Sequence, residues 1–218
     1  MSDLVAPAAE SYAAEHTSPL SGPLERAAEC TQGNTPRPSM MSGLAESRLL
    51  EVLIVAGAAR NVLEIGTFTG VGALTMAAAV PPDGSVTTLE VDAETAAVAQ
   101  RHFDASPFGQ RVRLIVGDAL ATIARLDGPF DLVYIDARKA DYPAYYDAVL
   151  PKLSERGVIV ADNLFRDGAT LDRAASDADT RGMREFADRV QRDAAVHNVL
   201  LTIGDGVLVA WRRPPGES

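Results

Sequence analysis

Cysteine, aromatic residues and basic residues are all scarce in this chain of 218 residues. It has one cysteine, Cys30, 6% aromatic residues, and 20 lysines and arginines against 30 aspartates and glutamates, for a formal net charge of −10. A single cysteine excludes an internal disulfide, and with three scattered histidines it excludes a zinc site of the usual spacing. One free thiol is expected in a reducing cytoplasm. The acidic balance argues against a nucleic-acid or anionic-membrane partner.

Long apolar runs are also missing. No stretch approaches the roughly 18 residues of a membrane span, and the N-terminus lacks the basic-then-apolar order of a secretion signal. Hydrophobic residues still make up 47% of the chain, which is enough for one domain with a substantial core. We therefore expect a cytoplasmic protein with no membrane partner.

The first 43 residues differ from the rest. They contain five prolines and a polar stretch over residues 30–39, which favours short helices separated by a mobile segment rather than strands. We accordingly divide the chain into an N-terminal segment over residues 1–43 and a main domain over residues 44–218.

From residue 44 onward, the apolar positions alternate between strand and helix spacing. The predicted strands cover residues 61–65, 85–90, 112–116, 130–135, 157–161, 199–203 and 207–211. Strands that alternate with helices predict an α/β fold, a Rossmann-like and mostly parallel sheet with helices on both faces. The last two strands flank a glycine turn at residues 204–206, so they are predicted to form an antiparallel hairpin. Ordinary dinucleotide-binding folds, whose strands are all parallel, lack such a hairpin.

A glycine-containing turn follows the first predicted strand. In open α/β sheets, ligands bind outside the carboxyl ends of the strands, which makes this turn a candidate site. A dinucleotide fingerprint that starts at Gly66 requires glycine at positions 68 and 71, but these are Phe68 and Val71. The close backbone approach that pyrophosphate needs is missing, which disfavours a nicotinamide or flavin dinucleotide.

Acidic residues around this turn favour a different ligand. Glu64, inside the strand, would repel a phosphate but can pair with an ammonium group. Glu90 ends the second strand, where an acidic side chain can accept both hydroxyls of an adenosine ribose, and Asp118, after the third strand, can reach the adenine. An adenosine that carries an amino acid fits all three, and the predicted ligand is S-adenosylmethionine. The alternative is that Gly66 and Gly70 only make a tight turn, with Glu90 a solvated strand end.

Three oxygen donors end the fourth and fifth predicted strands. Asp136 closes the fourth, while Asp162 and Asn163 close the fifth. Because neighbouring strands lie about 4.8 Å apart, one ion can reach all three side chains. Two carboxylates and an amide suit Mg²⁺, with Ca²⁺ or Mn²⁺ tolerated, although polar helix caps are the alternative. Lys139 can return over the same edge and act as a base, because an amine beside a cation loses its proton more readily.

With these residues in place, the chain resembles the metal-dependent class I O-methyltransferases of the caffeoyl-CoA and catechol O-methyltransferase type. The resemblance covers about residues 40–212. Its specific part is the run Asp136-x-x-Lys139-x-x-Tyr142 followed downstream by Asp162 and Asn163. It implies a sheet of order 3-2-1-4-5-7-6 and a homodimer.

The resemblance also implies a role for each site residue. Asp136, Asp162 and Asn163 look like the metal ligands, and Lys139, beside Asp136, looks like the catalytic base. The implied cofactor contacts are Ser42, Glu64, Gly66, Thr67, Gly72, Glu90 and Ala119, to which the strand-end reasoning adds Gly70, Asp118 and Asp136. The chain departs from the family pattern at Gly72, where serine is usual, and at Arg138, where aspartate or tryptophan is common. Its N-terminal segment, which carries substrate recognition in the family, matches neither branch.

The expected function is therefore Mg²⁺-dependent transfer of a methyl group from S-adenosylmethionine to one hydroxyl of a catechol-type small molecule. Bacterial secondary metabolism is the expected setting, and phenylpropanoid esters or free dihydroxy acids fit equally well as acceptors. Two alternatives stay open: a nucleotide-dependent oxidoreductase on a similar sheet, and a non-catalytic S-adenosylmethionine-binding protein. Phe68 and Tyr134 are predicted to serve packing, and Arg37 and Arg166 are predicted to be surface residues rather than receptors for a substrate carboxylate.

Overall fold

A seven-stranded sheet forms the centre of the molecule, which is described here by a computed structural model over residues 6–214. Its strands are β1 (Asn61–Ile65), β2 (Ser85–Glu90), β3 (Val112–Val116), β4 (Phe130–Ile135), β5 (Leu153–Ala161), β6 (Val196–Leu201) and β7 (Val207–Arg212). The strand order is β3-β2-β1-β4-β5-β7-β6. Strands β1 to β5 pair in parallel, and β7 pairs antiparallel with both β5 and β6. The predicted fold, strand order and terminal hairpin are confirmed.

Helices cover both faces of this sheet. Those described in residues 6–214 are α1 (Pro7–Glu15), α2 (Pro23–Asn34), α3 (Leu44–Gly57), α4 (Val71–Ala79), α5 (Ala93–Asp104), α6 (Ala119–Ile123), α7 (Tyr142–Val149) and α8 (Ala178–Arg192). Because side chains alternate along a strand, Val62 joins an apolar cluster with α3 and α4, whereas Leu63 joins another with α7 and α8. Within the described residues, every helix falls short of the length and hydropathy needed to cross a bilayer.

Two strands begin before their predicted first residues. Strand β5 begins at Leu153 rather than 157, because residues 154–156 are polar and partly exposed and have the composition of a loop. Strand β6 covers Val196–Leu201 rather than 199–203, because His197 and Asn198 interrupt the apolar run at its start. Helix α8 begins at Ala178, where Asp177 caps it by accepting a hydrogen bond from the Thr180 N–H at 3.0 Å.

The N-terminal segment packs against the first βα unit. It contains α1, α2 and a short 3₁₀ turn (Pro38–Met40), and no strand occurs in its described part. The Thr31 hydroxyl in α2 lies 2.7 Å from the Thr69 hydroxyl in the glycine turn, and both side chains are buried. This contact brings the segment over the carboxyl end of β1.

Thr75 is a buried polar side chain on α4 whose hydroxyl has no hydrogen-bond partner among residues 6–214. An unpaired buried hydroxyl costs roughly 1–3 kcal/mol. Since valine has nearly the same shape without the hydroxyl, we expect Thr75→Val to raise the free energy of unfolding by about 1 kcal/mol in urea denaturation. A lower free energy of unfolding for this variant would contradict the assignment.

The matched control is Thr31→Val. Thr31 is equally buried in a helix, but its hydroxyl donates to the Ala27 carbonyl at 2.8 Å and contacts the Thr69 hydroxyl. Removing a hydroxyl that is bonded leaves its partners unpaired, so this variant is expected to lose about 1 kcal/mol.

Candidate active site

A narrow cleft opens at the carboxyl ends of β1 and β4. The predicted contact residues that line it are Ser42, Glu64, Gly66, Thr67, Gly72 and Asp136. The other predicted residues do not line this cleft; they are Gly70, Glu90, Asp118, Ala119, Lys139, Asp162 and Asn163. They follow β1 to β5 around the same edge of the sheet, so the topology gathers the whole predicted set at one edge.

The glycine turn brings the backbones of β1 and β4 unusually close. Gly66 has φ +99°, and a Cβ there would lie 2.0 Å from the Asp136 carbonyl oxygen. Gly70 has φ +87° and caps α4, with its N–H donating to the Thr67 carbonyl at 2.9 Å. Only glycine tolerates both conditions at position 66, and the close approach places Asp136 in the wall of the cleft.

Glu64 is a carboxylic acid buried under the floor of the cleft, with 1% exposure. It accepts a hydrogen bond from the Thr88 hydroxyl, which lies 2.5 Å from the Thr67 hydroxyl. Burial, together with the charges of Asp136 and Glu90, raises the pKa of Glu64 to about 8. A Cβ on Gly72 would lie 2.5 Å from Glu64 Oε1. The glycine that replaces the usual serine therefore leaves room for this side chain, which can pair with a cationic group.

The carboxylates of Glu90 and Asp118 both accept hydrogen bonds from nearby backbone N–H groups. Glu90 Oε2 accepts from the Phe68 N–H at 2.8 Å, and Oε1 accepts from the N–H groups of Val91 and Asp92. Asp118 is exposed and caps α6 through the Ala121 N–H at 2.8 Å. A carboxylate oxygen has more than one acceptor position, so Glu90 retains acceptor capacity toward a ligand hydroxyl.

Lys139 is held between two acceptors. Its Nζ donates to Asp136 Oδ1 at 2.6 Å and to the Tyr142 hydroxyl at 3.1 Å. That hydroxyl in turn donates toward the carbonyl oxygens of Ile135, at 3.1 Å, and Asp162, at 3.2 Å. The buried ring of Tyr142 thus links the ends of β4 and β5 and fixes the amine beside them.

Asp162 directly follows Ala161, which pairs with Ile135 in the register of β5 with β4, and Asp136 directly follows Ile135. Asp162 is 4% exposed, with Oδ1 accepting from the Asn163 N–H at 2.7 Å and Oδ2 accepting from the Tyr134 hydroxyl at 3.0 Å. Burial and the charge of Asp136 raise the pKa of Asp162 well above its ordinary value. The Asp162 carboxylate is therefore a group whose ionisation is disfavoured by burial and by a neighbouring negative charge.

The edge carries further acidic side chains that the sequence analysis did not single out. Burial raises the pKa of Glu46 at the start of α3, and the charges of Asp136 and Asp205 add to it. Burial also raises the pKa of Asp205 in the turn between β6 and β7. No group of three or more histidine, cysteine, aspartate or glutamate side chains is arranged for a metal within residues 6–214.

The loop after β5 is hydrogen-bonded to the turn between β6 and β7. The N–H groups of Leu164 and Phe165 donate to the carbonyl oxygens of Gly206 and Asp205, at 2.9 and 2.8 Å. Arg166 bonds Asp177 and the Thr180 hydroxyl, each at 2.6 Å. Its guanidinium therefore ties the loop to α8, in line with the expectation that it is not a carboxylate receptor.

Several residues of the cleft wall escaped the sequence reasoning, namely Met40, Met41, Phe68, Thr69, Val71 and Tyr134. Tyr134 packs in the core as predicted, although its hydroxyl has further contacts. Phe68 lines the cleft, and the Tyr134 hydroxyl contacts Asp162 and lies 3.1 Å from the Ser42 hydroxyl. No local sequence signal marked Tyr134, because its position beside Glu64 follows only from the pairing of β1 with β4.

Comparison with known proteins decides the family, because a family model described as O-methyltransferase matches residues 14–213. The chain belongs to the O-methyltransferase family. It is an S-adenosylmethionine-dependent class I O-methyltransferase of the caffeoyl-CoA and catechol O-methyltransferase type. The predicted family, enzyme class and methyl donor are confirmed, and the oxidoreductase alternative is wrong.

This O-methyltransferase is 36% identical over 161 residues to the catechol O-methyltransferase of Niastella koreensis, an alignment that covers 72% of each chain. It is similar to the solved O-methyltransferase TomG of Streptomyces achromogenes, which is involved in tomaymycin synthesis and was solved with S-adenosylmethionine: TM-score 0.85, 28% identity, 95% of this chain and 96% of that chain. It is also similar to the Bacillus cereus O-methyltransferase solved with S-adenosylhomocysteine: TM-score 0.86, 27% identity, 94% of this chain and 97% of that chain.

Proposed function

We propose that this O-methyltransferase methylates one hydroxyl of a catechol-type small molecule with the help of Mg²⁺. The observation that carries the proposal is the carboxyl-terminal edge of the sheet, where Asp136 directly follows β4, Asp162 and Asn163 directly follow the neighbouring β5, and Lys139 is bonded to Asp136. This edge adjoins the cleft with Glu64 in its floor, so a methyl donor and a diol can meet there. The catechol O-methyltransferase of Niastella koreensis supports the acceptor class by its name.

The side chains at this edge suit a hard divalent cation. Asp136, Asp162 and Asn163 supply carboxylate and amide oxygens, and Mg²⁺ is commonly bound through one or two carboxylates together with oxygens of water and substrate. Burial and the charge of Asp136 raise the pKa of Asp162, so the ionised form of Asp162 is costly at this edge. A bound cation would offset that cost. When bound, it would lower the pKa of a chelated hydroxyl.

The other residues of the site are assigned roles in binding the methyl donor and in proton transfer. In this proposal Glu64 pairs with the ammonium group of the methyl donor, and Glu90 accepts from its ribose hydroxyls. Lys139 Nζ takes the proton of the acceptor hydroxyl, and its bonds to Asp136 and Tyr142 support this role by holding the amine in position. The deprotonated oxygen then bonds to the methyl carbon as the carbon–sulfur bond breaks, which leaves S-adenosylhomocysteine. Positioning supplies much of the rate, because the methyl group is already activated.

The N-terminal segment over residues 1–43 is proposed as the substrate side of the enzyme. Met40, Met41 and Ser42 already contribute to the cleft wall. A homodimer, a place in bacterial secondary metabolism and a cytoplasmic setting are proposed with it, on the strength of the family resemblance and the composition alone.

Metal removal tests the proposal. We expect a chelator to abolish methyl transfer from S-adenosylmethionine to simple catechols and added Mg²⁺ to restore it, with product and position of methylation read by NMR. Undiminished turnover in chelator would overturn the role of the metal. Failure to methylate any vicinal diol, with turnover on monohydroxy phenols, would overturn the acceptor class.

A matched pair of variants localises the effect. Asp162→Asn removes one proposed ligand charge and is expected to lower turnover at saturating Mg²⁺ by about a hundredfold. Asp193 also accepts a hydrogen bond from a tyrosine hydroxyl, that of Tyr146 at 2.8 Å, but lies after α8, away from the cleft. Asp193→Asn is expected to keep native turnover and native Mg²⁺ dependence.

A further inference from the structure

We propose that Tyr134 is a positioning residue that links the wall of the methyl-donor cleft to the Asp162 carboxylate, so that donor binding and Mg²⁺ binding strengthen each other. The inference rests on the proposed function, because it takes Asp162 as a metal ligand. It concerns a side chain to which the family resemblance assigns no role in the site.

The hydrogen bonds of the Tyr134 hydroxyl have a fixed direction. The hydroxyl lies 3.0 Å from Asp162 Oδ2 and 3.1 Å from the Ser42 hydroxyl. The Tyr134 hydroxyl donates to Asp162 Oδ2, and in the ionised form that would hold a cation the carboxylate can only accept, so the single proton of Tyr134 goes to Asp162. Ser42 must then be the donor in its contact with Tyr134. The three side chains form a directed series from Ser42 through Tyr134 to Asp162.

The ring that carries this hydroxyl is held firmly in place. Tyr134 is 2% exposed and lies in β4, between Glu64 of β1 and Val160 of β5 in the register of the sheet. A ring fixed by two neighbouring strands cannot follow a displaced carboxylate. It therefore sets where Asp162 Oδ2 points, rather than adapting to it.

Asp162 has one hydrogen-bond donor on each oxygen, because Oδ1 accepts from the Asn163 N–H at 2.7 Å. Without the Tyr134 hydroxyl, Oδ2 of this buried group loses its donor, and the carboxylate is free to turn about its last bond. Outer partners that orient metal ligands contribute about 10- to 100-fold to metal affinity. The orientation that Tyr134 imposes is therefore expected to be measurable as cation affinity.

The cleft is connected to this series of hydrogen bonds through Ser42 and Tyr134, which both line it. Asp162 does not line the cleft. Ser42 lies in the connection between the Pro38–Met40 turn and α3 rather than in a helix or strand. A ligand that fills the cleft restricts Ser42, and Ser42 then keeps the Tyr134 hydroxyl directed at Asp162. Donor binding is thereby passed to the cation ligand through two hydrogen bonds.

Calorimetric titration of the full chain with Mg²⁺, with and without saturating S-adenosylhomocysteine, tests this link. The native protein is expected to bind Mg²⁺ several-fold more tightly with S-adenosylhomocysteine present. Tyr134→Phe keeps the ring and removes the hydroxyl, and its Mg²⁺ affinity is expected to fall by about tenfold and to lose its dependence on S-adenosylhomocysteine. The control Tyr146→Phe removes the hydroxyl of a tyrosine whose ring is equally buried and whose hydroxyl donates to Asp193, and both properties are expected to stay native.

Ser42→Ala provides a second variant, in which Tyr134 and the core are untouched. It is expected to reduce the effect of S-adenosylhomocysteine on Mg²⁺ affinity, and it decides the matter if Tyr134→Phe does not fold. If the native protein binds no Mg²⁺, the proposed function fails. If it binds Mg²⁺ and Tyr134→Phe binds it equally well, the positioning role is refuted while the proposed function stands. If affinity falls but the effect of S-adenosylhomocysteine persists in both variants, the link to the cleft is refuted.

Discussion

Lys139→Met is expected to lower the turnover number for catechol methylation by about a thousandfold, within the usual range for loss of a general base. Methionine keeps the length and the apolar stem of lysine but has no amine to take the acceptor proton. The affinity for S-adenosylmethionine, measured by calorimetry, is expected to stay within about threefold, because Lys139 does not line the cleft. Steady-state kinetics at saturating substrate measure the turnover number.

The matched control is Lys152→Met. Lys152 is also partly buried and also donates a short hydrogen bond, to the Leu126 carbonyl at 2.7 Å, but it precedes β5 at the opposite end of the sheet. Its turnover is expected to match that of the native enzyme. A Lys139→Met variant that retained native turnover would remove this amine from the mechanism, whatever the role of the metal.

Glu64→Gln is expected to have two opposite effects, a large loss of methyl-donor affinity and a gain of stability in alkali. Burial raises the pKa of Glu64 to about 8 in the folded protein, against an ordinary value of 4.5. The folded state therefore holds a proton that the unfolded state releases between these two values. The stability from this group is fully present below the lower value and is lost as the pH rises through the upper one.

Glutamine has no such proton to lose, and its amide oxygen can still accept from Thr88. Urea denaturation at about pH 5 and about pH 9 is expected to show a fall in the native free energy of unfolding on the order of 2 kcal/mol that Glu64→Gln lacks. Affinity for S-adenosylmethionine is expected to fall about a hundredfold, because the ammonium group loses a buried charge partner.

Exposed Glu155 on β5 provides the control, since Glu155→Gln is expected to leave both properties as in the native protein. Native donor affinity in Glu64→Gln would show that Glu64 does not bind the ammonium group. An unchanged pH profile of stability would show that another group holds the proton.

The parts of the fold and of the site that can be predicted from the sequence are those governed by local periodicity. Strand β1 and the turn after it follow from alternation and from the glycine at position 66, and the hairpin follows from two strands close together in the chain. Strand-end carboxylates are predictable for the same reason, since parallel strands finish at one edge. Asp118 shows the limit, because a residue correctly placed at a strand end is here also a helix cap.

The contacts of the Tyr134 hydroxyl could not be predicted from the sequence, for a physical reason. Within the run of β4 it has the pattern of a core residue, and its ring does pack in the core. The partners of its hydroxyl come from positions 92 residues earlier and 28 residues later in the chain. Their meeting depends on the strand order and on the path of residues 38–43, and neither is encoded in the local spacing around Tyr134.

The hairpin also constrains how the enzyme is made. Strand β7 covers one side of β5, and the turn at residues 204–206 supports the loop that follows Asp162. During translation, the part of the site around Glu64 and Glu90 is synthesised long before residue 207. Until then, β5 is an open edge strand, the kind of surface that pairs with other chains. The donor side of the enzyme can thus form during translation, whereas its acceptor side has to wait for nearly the whole polypeptide.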